Sequence, residues 1–383
     1  MEKSPLLLMT PGPVKIAKSV LQSIGSNSLH HRSLDFSKIL SGLFKNLQYI
    51  FKTKQPVLIL NSSGSGAMEA ALVNTLSPQD NILVIVAGKF GDRWVKIANS
   101  HNINVHIFKV PLGEPLNLDK LKKDIQSLPN LSALCMQACE TSTASSFPVQ
   151  KVGEIISECN LKSLFIVDAI SALGSQNIEQ DKWKIDVLIG GSQKALAGPA
   201  GLSFISFSTK AMEYYLKSKC PKYYWDIKPQ LKAYEKNQTI FSSAVHLIFA
   251  LKTATDVLQG EGLEKQIKHI KQLSQLSEKA LDILQLKTFS KSPSTSLTAF
   301  YIPEKINSKS WLKELQDDYN VYLVGGQDQL SGKIIRIGHI GDIGQLELYK
   351  TFYSIALSLK NKNYLKNSKE QITNLQNLFS VTK

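Results

Sequence analysis

The sequence predicts an α/β protein: a doubly wound, mostly parallel sheet in a large domain, followed by a smaller C-terminal α+β domain. Three observations carry this. Short apolar runs alternate with amphipathic stretches from residue 57 to residue 206, the order that builds parallel strands joined by helices. The run Leu164-Phe-Ile-Val-Asp168 is apolar up to its last residue, as a strand buried on both faces must be. The chain has 383 residues, enough for two or three domains.

The elements follow in order. Thr10-Pro-Gly-Pro13 is extended, because residues that precede proline avoid helix, and residues 1–20 are expected to form a segment crossing the site. Residues 57–60 form a buried strand, and Asn61-Ser-Ser-Gly-Ser-Gly66 then opens a helix over 67–76. Small residues with free N–H groups at a helix start make an anion site, so Ser63, Gly64, Ser65 and Gly66 are candidate ligands. Their spacing is not that of the dinucleotide fingerprint. Strands are expected at 81–86, 105–110 and 133–138, with helices at 90–100, 117–128 and 149–159. The Asp168 strand, a strand at 187–189 and a closing strand at 201–207 complete the large sheet. Residues 217–240 read as loop, and Gln259–Glu264 as a turn into a long helix, 262–286. Small-domain strands are expected at 297–302, 321–324 and 333–337. The expected boundaries are 1–20, 21–260 for the large domain, 261–358 for the small domain, and a lysine-rich extension at 359–383. The extension reads as an added helix with a frayed end and carries no assigned chemistry.

The chemistry concentrates in Val187-Leu-Ile-Gly-Gly-Ser-Gln-Lys194-Ala-Leu-Ala-Gly-Pro-Ala-Gly201. A buried strand runs into a tight loop that presents one lysine among apolar neighbours. Desolvation there lowers a lysine pKa and yields an amine able to form a Schiff base. Any single lysine is more often solvated, and a strand-ending Asp alone is more often a helix cap. Together they are specific: Asp168 precedes Lys194 by 26 residues. It stands at a strand's carboxyl end, where open α/β sheets bind ligands. A carboxylate there suits a pyridinium nitrogen that must stay protonated.

Asp168 and Ser192-Gln-Lys194-Ala-Leu196 resemble the class V aminotransferases, pyridoxal-phosphate enzymes of fold type I. The members it most looks like are the alanine–glyoxylate and serine–glyoxylate (or serine–pyruvate) aminotransferases, and the resemblance runs from Thr10 to about Leu357. It implies that Lys194 holds pyridoxal 5'-phosphate as a Schiff base and is the catalytic acid and base. Asp168 would stabilise the pyridinium, Phe90 of Gly88-Lys-Phe-Gly-Asp-Arg93 would stack on the ring, and Thr141 would bond near its oxygen. Gln193 would stand near the phosphate cradled by Ser63 to Gly66. Gly12 would line the substrate pocket. Arg336 of Arg-Ile-Gly338 would bind the substrate carboxylate bidentately. Ser242 would reach the neighbouring subunit's phosphate in a homodimer with shared sites. The implied reaction is transamination from serine or alanine to glyoxylate or pyruvate. Related enzymes acting on 2-aminoethylphosphonate or aspartate are the alternatives. A cysteine desulfurase would need a cysteine in the small domain, and none follows Cys220. Three residues depart from the family pattern: His30 and Ala144 stand where glycine is usual, and Ser242 lacks the usual prolines after it.

Composition bears on partners. The net charge is +14, which raises the alternative of a non-catalytic basic binding protein on the same fold. Of 45 basic residues, only Arg32, Arg93 and Arg336 are arginines, whereas nucleic-acid surfaces favour the arginine fork, so no nucleic-acid partner is expected. No apolar run is long enough for a bilayer. Four cysteines without disulfide or zinc spacing suit a reducing cytoplasm. His30 and His31 have no further ligands at workable spacing, so no metal is expected.

Overall fold

The computed structural model describes residues 6–26, 28–128, 130–159 and 162–379. Residues 1–5 and 380–383, at the ends of the expected terminal segments, lie outside these. A seven-stranded sheet runs in the order Val57–Leu60, Ser203–Phe207, Val187–Gly191, Leu164–Asp168, Leu131–Gln137, Asn81–Val86, Asn104–Lys109. Ser203–Phe207 is antiparallel to both neighbours, and every other pairing is parallel. The reason lies in the lysine loop. It returns the chain directly after Gly191, too briefly for the helical crossover that a parallel neighbour requires.

Alternate strand residues feed two cores, as the pleat dictates. Met136, Val167, Leu188 and Phe204 pack with Phe36, Leu40 and Phe51 of helix Leu34–Phe51. Cys135, Ile166, Ile189 and Ile205 pack with Met68, Leu72 and Trp94 on the opposite face. Helices therefore cover both faces, and the strand carboxyl ends stay open for a site. A third core gathers Leu273, Phe300, Trp311, Ile335, Ile337 and Phe352 around a three-stranded antiparallel sheet, Leu297–Tyr301, Ile334–Gly338 and Val324–Gly325. Leu7–Leu8 pairs in parallel with Val321–Tyr322. The Gly338 N–H donates to the Met9 carbonyl at 2.9 Å. The N-terminal segment is thereby anchored on the small sheet and led across the large one.

Several expectations are corrected. Residues 217–240 are not loop throughout: Ile227–Tyr234 is a helix whose N-cap, Asp226, accepts from Lys228 N. It buries only Ile227 and Gln230, too little to show a periodic signal. The turn expected over 259–264 shrinks to Gly262, because helix Val245–Glu261 runs up to it and Leu263–Ile283 follows. The strand expected at 321–324 is two short ones, Val321–Tyr322 and Val324–Gly325. The boundary expected after residue 358 falls inside helix Gln345–Asn361, and that expected after residue 20 falls inside Lys18–Ile24. Helix Ser368–Phe379 is no loose addition, since Leu375 and Phe379 join the third core. No helix among the described residues is long and apolar enough to cross a membrane.

Ala144 adopts φ 53 and is buried. A side chain in the left-handed region costs about 1–2 kcal/mol, of which glycine's extra freedom in the unfolded chain takes back part. Ala144→Gly is therefore expected to stabilise the protein by roughly 0.5–1 kcal/mol. Thermal unfolding should show a Tm about 1–2 °C higher, and an unchanged or lower Tm would contradict the strain argument.

Candidate active site

The site forms where the large sheet's carboxyl ends meet the N-terminal segment and the small sheet. The lysine loop is tied internally. The Ser192 hydroxyl donates to the carbonyls of Pro199 and Leu202, Gly198 N donates to Ser192 O, and Ala197 N donates to Lys194 O. The loop points Lys194 inward, and its Nζ donates to the Pro11 carbonyl at 2.7 Å. Burial pulls the ammonium down to about 8. The Asp168 carboxylate opposes this, while the cations of Arg336 and Arg93 push with it. Lys194 is thus poised to lose its proton near neutrality, as a nucleophilic amine must. Gly12 lies directly against it at φ +128, and a Cβ there would fall 2.5 Å from Lys194 Nζ.

Asp168 closes its strand with 5% exposure, level with Gln137 and Ile189 on the neighbouring strands. Its Oδ1 accepts from Ile170 N at 2.8 Å. Burial raises the carboxyl to about 6; the Ile170 bond opposes, Glu140 adds to the rise, and Arg93 and Lys194 counter it. Such an acid is available to hold a proton beside a heterocyclic nitrogen.

Helix Gly64–Thr75 opens inside the expected anion loop, with Ser63 as N-cap. The Ser63 hydroxyl makes no cap bond, so it does not occupy the helix start. Gly64 and Gly66 form a bare cradle. A Cβ at Gly64 would lie 2.2 Å from Ile170 Cδ1, and one at Gly66 would lie 2.6 Å from Trp225 Cη2. Ser65 is half-buried between them. Beside Gly191, the Gln193 amide oxygen is buried without a partner among the described residues. A bare helix N-terminus and a desolvated lysine fit a phosphate-bearing aldehyde such as pyridoxal phosphate.

Phe90 lies in the first turn of helix Lys89–Ser100, with the Arg93 guanidinium 4.7 Å from its ring centroid. Arg336 is buried in strand Ile334–Gly338. Its Nε donates to Gly325 O and its Nη1 to Thr141 O, each at 3.0 Å. It makes no ion pair among the described residues. Burial lowers the guanidinium to about 10, opposed by Glu140. Thr141, expected to serve through its hydroxyl, also positions Arg336 through its carbonyl.

Gly12 touches Lys194, Thr141 bonds Arg336, and Gly64 meets Ile170, which bonds Asp168; Lys194 feels the charges of Asp168 and Arg336. Ser242 stands apart. It is exposed, and its carbonyl accepts from Asn61 Nδ2 at 3.0 Å, which places it beside the anion loop. Three residues were not assigned roles from sequence. Ile170 and Trp225 wall the cradle, and Glu140 bonds the start of the Phe90 helix. Glu140 left a signal, a charge just after a buried strand. Trp225 left none, because it comes from a distant segment.

The family model for class-V aminotransferases matches residues 17–338. A soluble hydrogenase small subunit from Synechococcus sp. is 34% identical, covering 94% of each chain. A serine–glyoxylate aminotransferase from Arabidopsis thaliana is 29% identical, over 93% of this chain and 91% of its own. Among solved structures, an alanine–glyoxylate aminotransferase from Nostoc sp. superposes with a TM-score of 0.85 at 26% identity, covering 99% and 96% of the two chains.

Proposed function

We propose that this chain, which belongs to the class V aminotransferases and is a pyridoxal-phosphate-dependent enzyme, moves the amino group of a small amino acid, serine or alanine, onto glyoxylate or pyruvate. The observation that carries the reading is Lys194 Nζ, buried at 2.7 Å from Pro11 O and pressed by Gly12. A segment lying that close to the amine favours a donor with a small side chain. Relatives named for serine–glyoxylate and alanine–glyoxylate transfer point the same way.

The residues divide the work as follows. Ser63, Gly64, Ser65 and Gly66 would hold the phosphate at the helix start with Gln193 alongside. Phe90 would cover the ring, with Thr141 at its edge and Asp168 at its nitrogen. Pyridoxal phosphate, when bound, supplies an aldehyde that condenses with amines and a ring that accepts electrons. Arg336 keeps two bonds to carbonyls and has no ion-pair partner among the described residues, so its remaining N–H groups are open to a substrate α-carboxylate. Lys194 Nζ takes the proton from the substrate Cα and later returns one, acting as base and then acid. Asp168 keeps the ring nitrogen protonated. The Pro11 carbonyl orients the free amine between turns.

We further read the enzyme as a homodimer with shared sites. Tyr223, Tyr224, Phe241 and Leu34 are exposed, and Tyr224 stacks on Phe241 at 5.0 Å, next to Ser242 and Asn61. A second copy would cover this apolar patch and meet Ser242. The test is a donor panel on the loaded enzyme: serine, alanine, aspartate and 2-aminoethylphosphonate, each with glyoxylate or pyruvate. Serine or alanine should give a kcat/KM at least about tenfold above the other two, a difference of about 1.4 kcal/mol. A preference for aspartate or the phosphonate would overturn the substrate assignment. Light scattering should give twice the 42.5 kDa of the chain, and a monomer would overturn the shared site.

A further inference from the structure

Glu140 has no part in the roles above, yet it is fully buried at the centre of the site. Its Oε2 accepts the N–H groups of Phe90 and Gly91, each at 3.1 Å. Its Oε1 accepts the Ser142 N–H at 3.2 Å and the Ser142 hydroxyl. A carboxylate is buried only when hydrogen bonds and charge replace its water, and four donors do so here. Two of them are the second and third N–H groups of helix Lys89–Ser100, whose positive end favours an anion. Burial raises the carboxyl's affinity for a proton, and all four bonds oppose this.

The backbone is shaped for this clasp. A Cβ at Gly88 would fall 2.3 Å from Ser142 Oγ and 2.8 Å from Glu140 Cδ. One at Gly91 would fall 2.7 Å from Val86 Cα. Both positions must therefore be bare for the helix start to sit on Glu140. The same charge reaches the substrate side. It supports the charged form of Arg336 and raises the Asp168 carboxyl. It forms no ion pair with Arg336, which bonds to two carbonyls instead. The guanidinium is partly neutralised without being occupied.

We propose that Glu140 is a positioning residue of this active site, clasping the helix start to fix Phe90 and tempering the field of Arg336 so that a monocarboxylate binds there and leaves again. This rests on the roles given to Phe90 and Arg336 above. Glu140→Gln keeps one oxygen for the Phe90 and Gly91 N–H groups but removes the charge. In the loaded enzyme it should tighten binding of propionate, measured by calorimetry, roughly tenfold. It should also move the pH midpoint of the bound cofactor's visible band downward, because a negative neighbour is gone. Glu140→Asp keeps the charge but withdraws it by one methylene. It should leave propionate affinity within about twofold while lowering kcat roughly tenfold and weakening the circular dichroism of the visible band.

If Glu140→Gln changes neither propionate affinity nor the midpoint, or Glu140→Asp behaves as wild type, the proposal is wrong. Should Glu140→Gln fail to fold, Ser142→Ala removes one donor to Glu140, and with it the acceptor of the Lys89 N–H, while leaving the charge and its bonds to the Phe90 and Gly91 N–H groups. It should shift the acid limb of kcat/KM to higher pH, and an unmoved limb overturns the proposal. Arg336→Gln separates the two layers of the argument. If it leaves propionate binding intact, the reading of Arg336 fails. If it abolishes binding while Glu140→Gln changes nothing, only the role of Glu140 fails.

Discussion

Lys194→Ala is expected to lower transamination by about 10⁴-fold or more, because it would remove both the proposed nucleophile and the proposed acid–base group. The visible band of the bound cofactor should disappear, and added methylamine should restore only a small fraction of the rate. Retention of the band, or of more than about 1% of kcat, would place the catalytic amine elsewhere. The buried amine also has a stability consequence. Its folded value of about 8 lies below the ordinary 10.5. Folding therefore penalises the ammonium, fully below about pH 8, and the penalty fades as pH rises from about 8 to 10.5. Cofactor-free wild type should gain up to about 3 kcal/mol over that window. Lys194→Met should be more stable than wild type at pH 7 and lose that advantage by pH 10.5. Chemical denaturation across pH checks both.

Asp168→Asn is expected to cost about 10²–10³-fold in kcat with the fold intact. The amide still caps Ile170 N through its oxygen, but it no longer holds a proton on a ring nitrogen. In the cofactor-free protein the stability effect runs the opposite way. The carboxyl stands at about 6, above the ordinary 3.8, so its ionised form is the penalised one. The penalty is absent below pH 3.8, grows between 3.8 and about 6, and is complete above that. Asp168→Asn should therefore raise stability by up to about 3 kcal/mol at pH 7 and by little at pH 4. A variant less stable than wild type at pH 7 would show that Asp168 is held by bonds that outweigh its burial.

Much of the fold was legible because it rests on local periodicity. Short apolar runs such as Val57–Leu60 and residues 164–167, closed by turn formers or an acid, read as strands with both faces covered, and they are strands. The Gly-Ser run Ser63–Gly66 reads as a helix start whatever surrounds it. Asp168 and Lys194 stood out as candidates because each closely follows an apolar run, and the structure sets those two strands side by side. Helix Ile227–Tyr234 was not legible, since its buried face is two residues wide. Nor was the inclusion of Ser368–Phe379 in the third core, since few apolar residues among lysines and glutamines give no hint of their partners.

The sequence by itself therefore determined the strand–helix order and put forward Lys194, Asp168 and the Gly-Ser loop as candidates, because each is written within a few consecutive residues. Tertiary structure alone decided which groups touch. It set Pro11 against Lys194, Trp225 against Gly66, the Thr141 carbonyl on Arg336 and the start of the Phe90 helix on Glu140. Each of these contacts joins segments far apart in the chain. Their geometry follows from how the cores pack, and no local pattern of residue types encodes it.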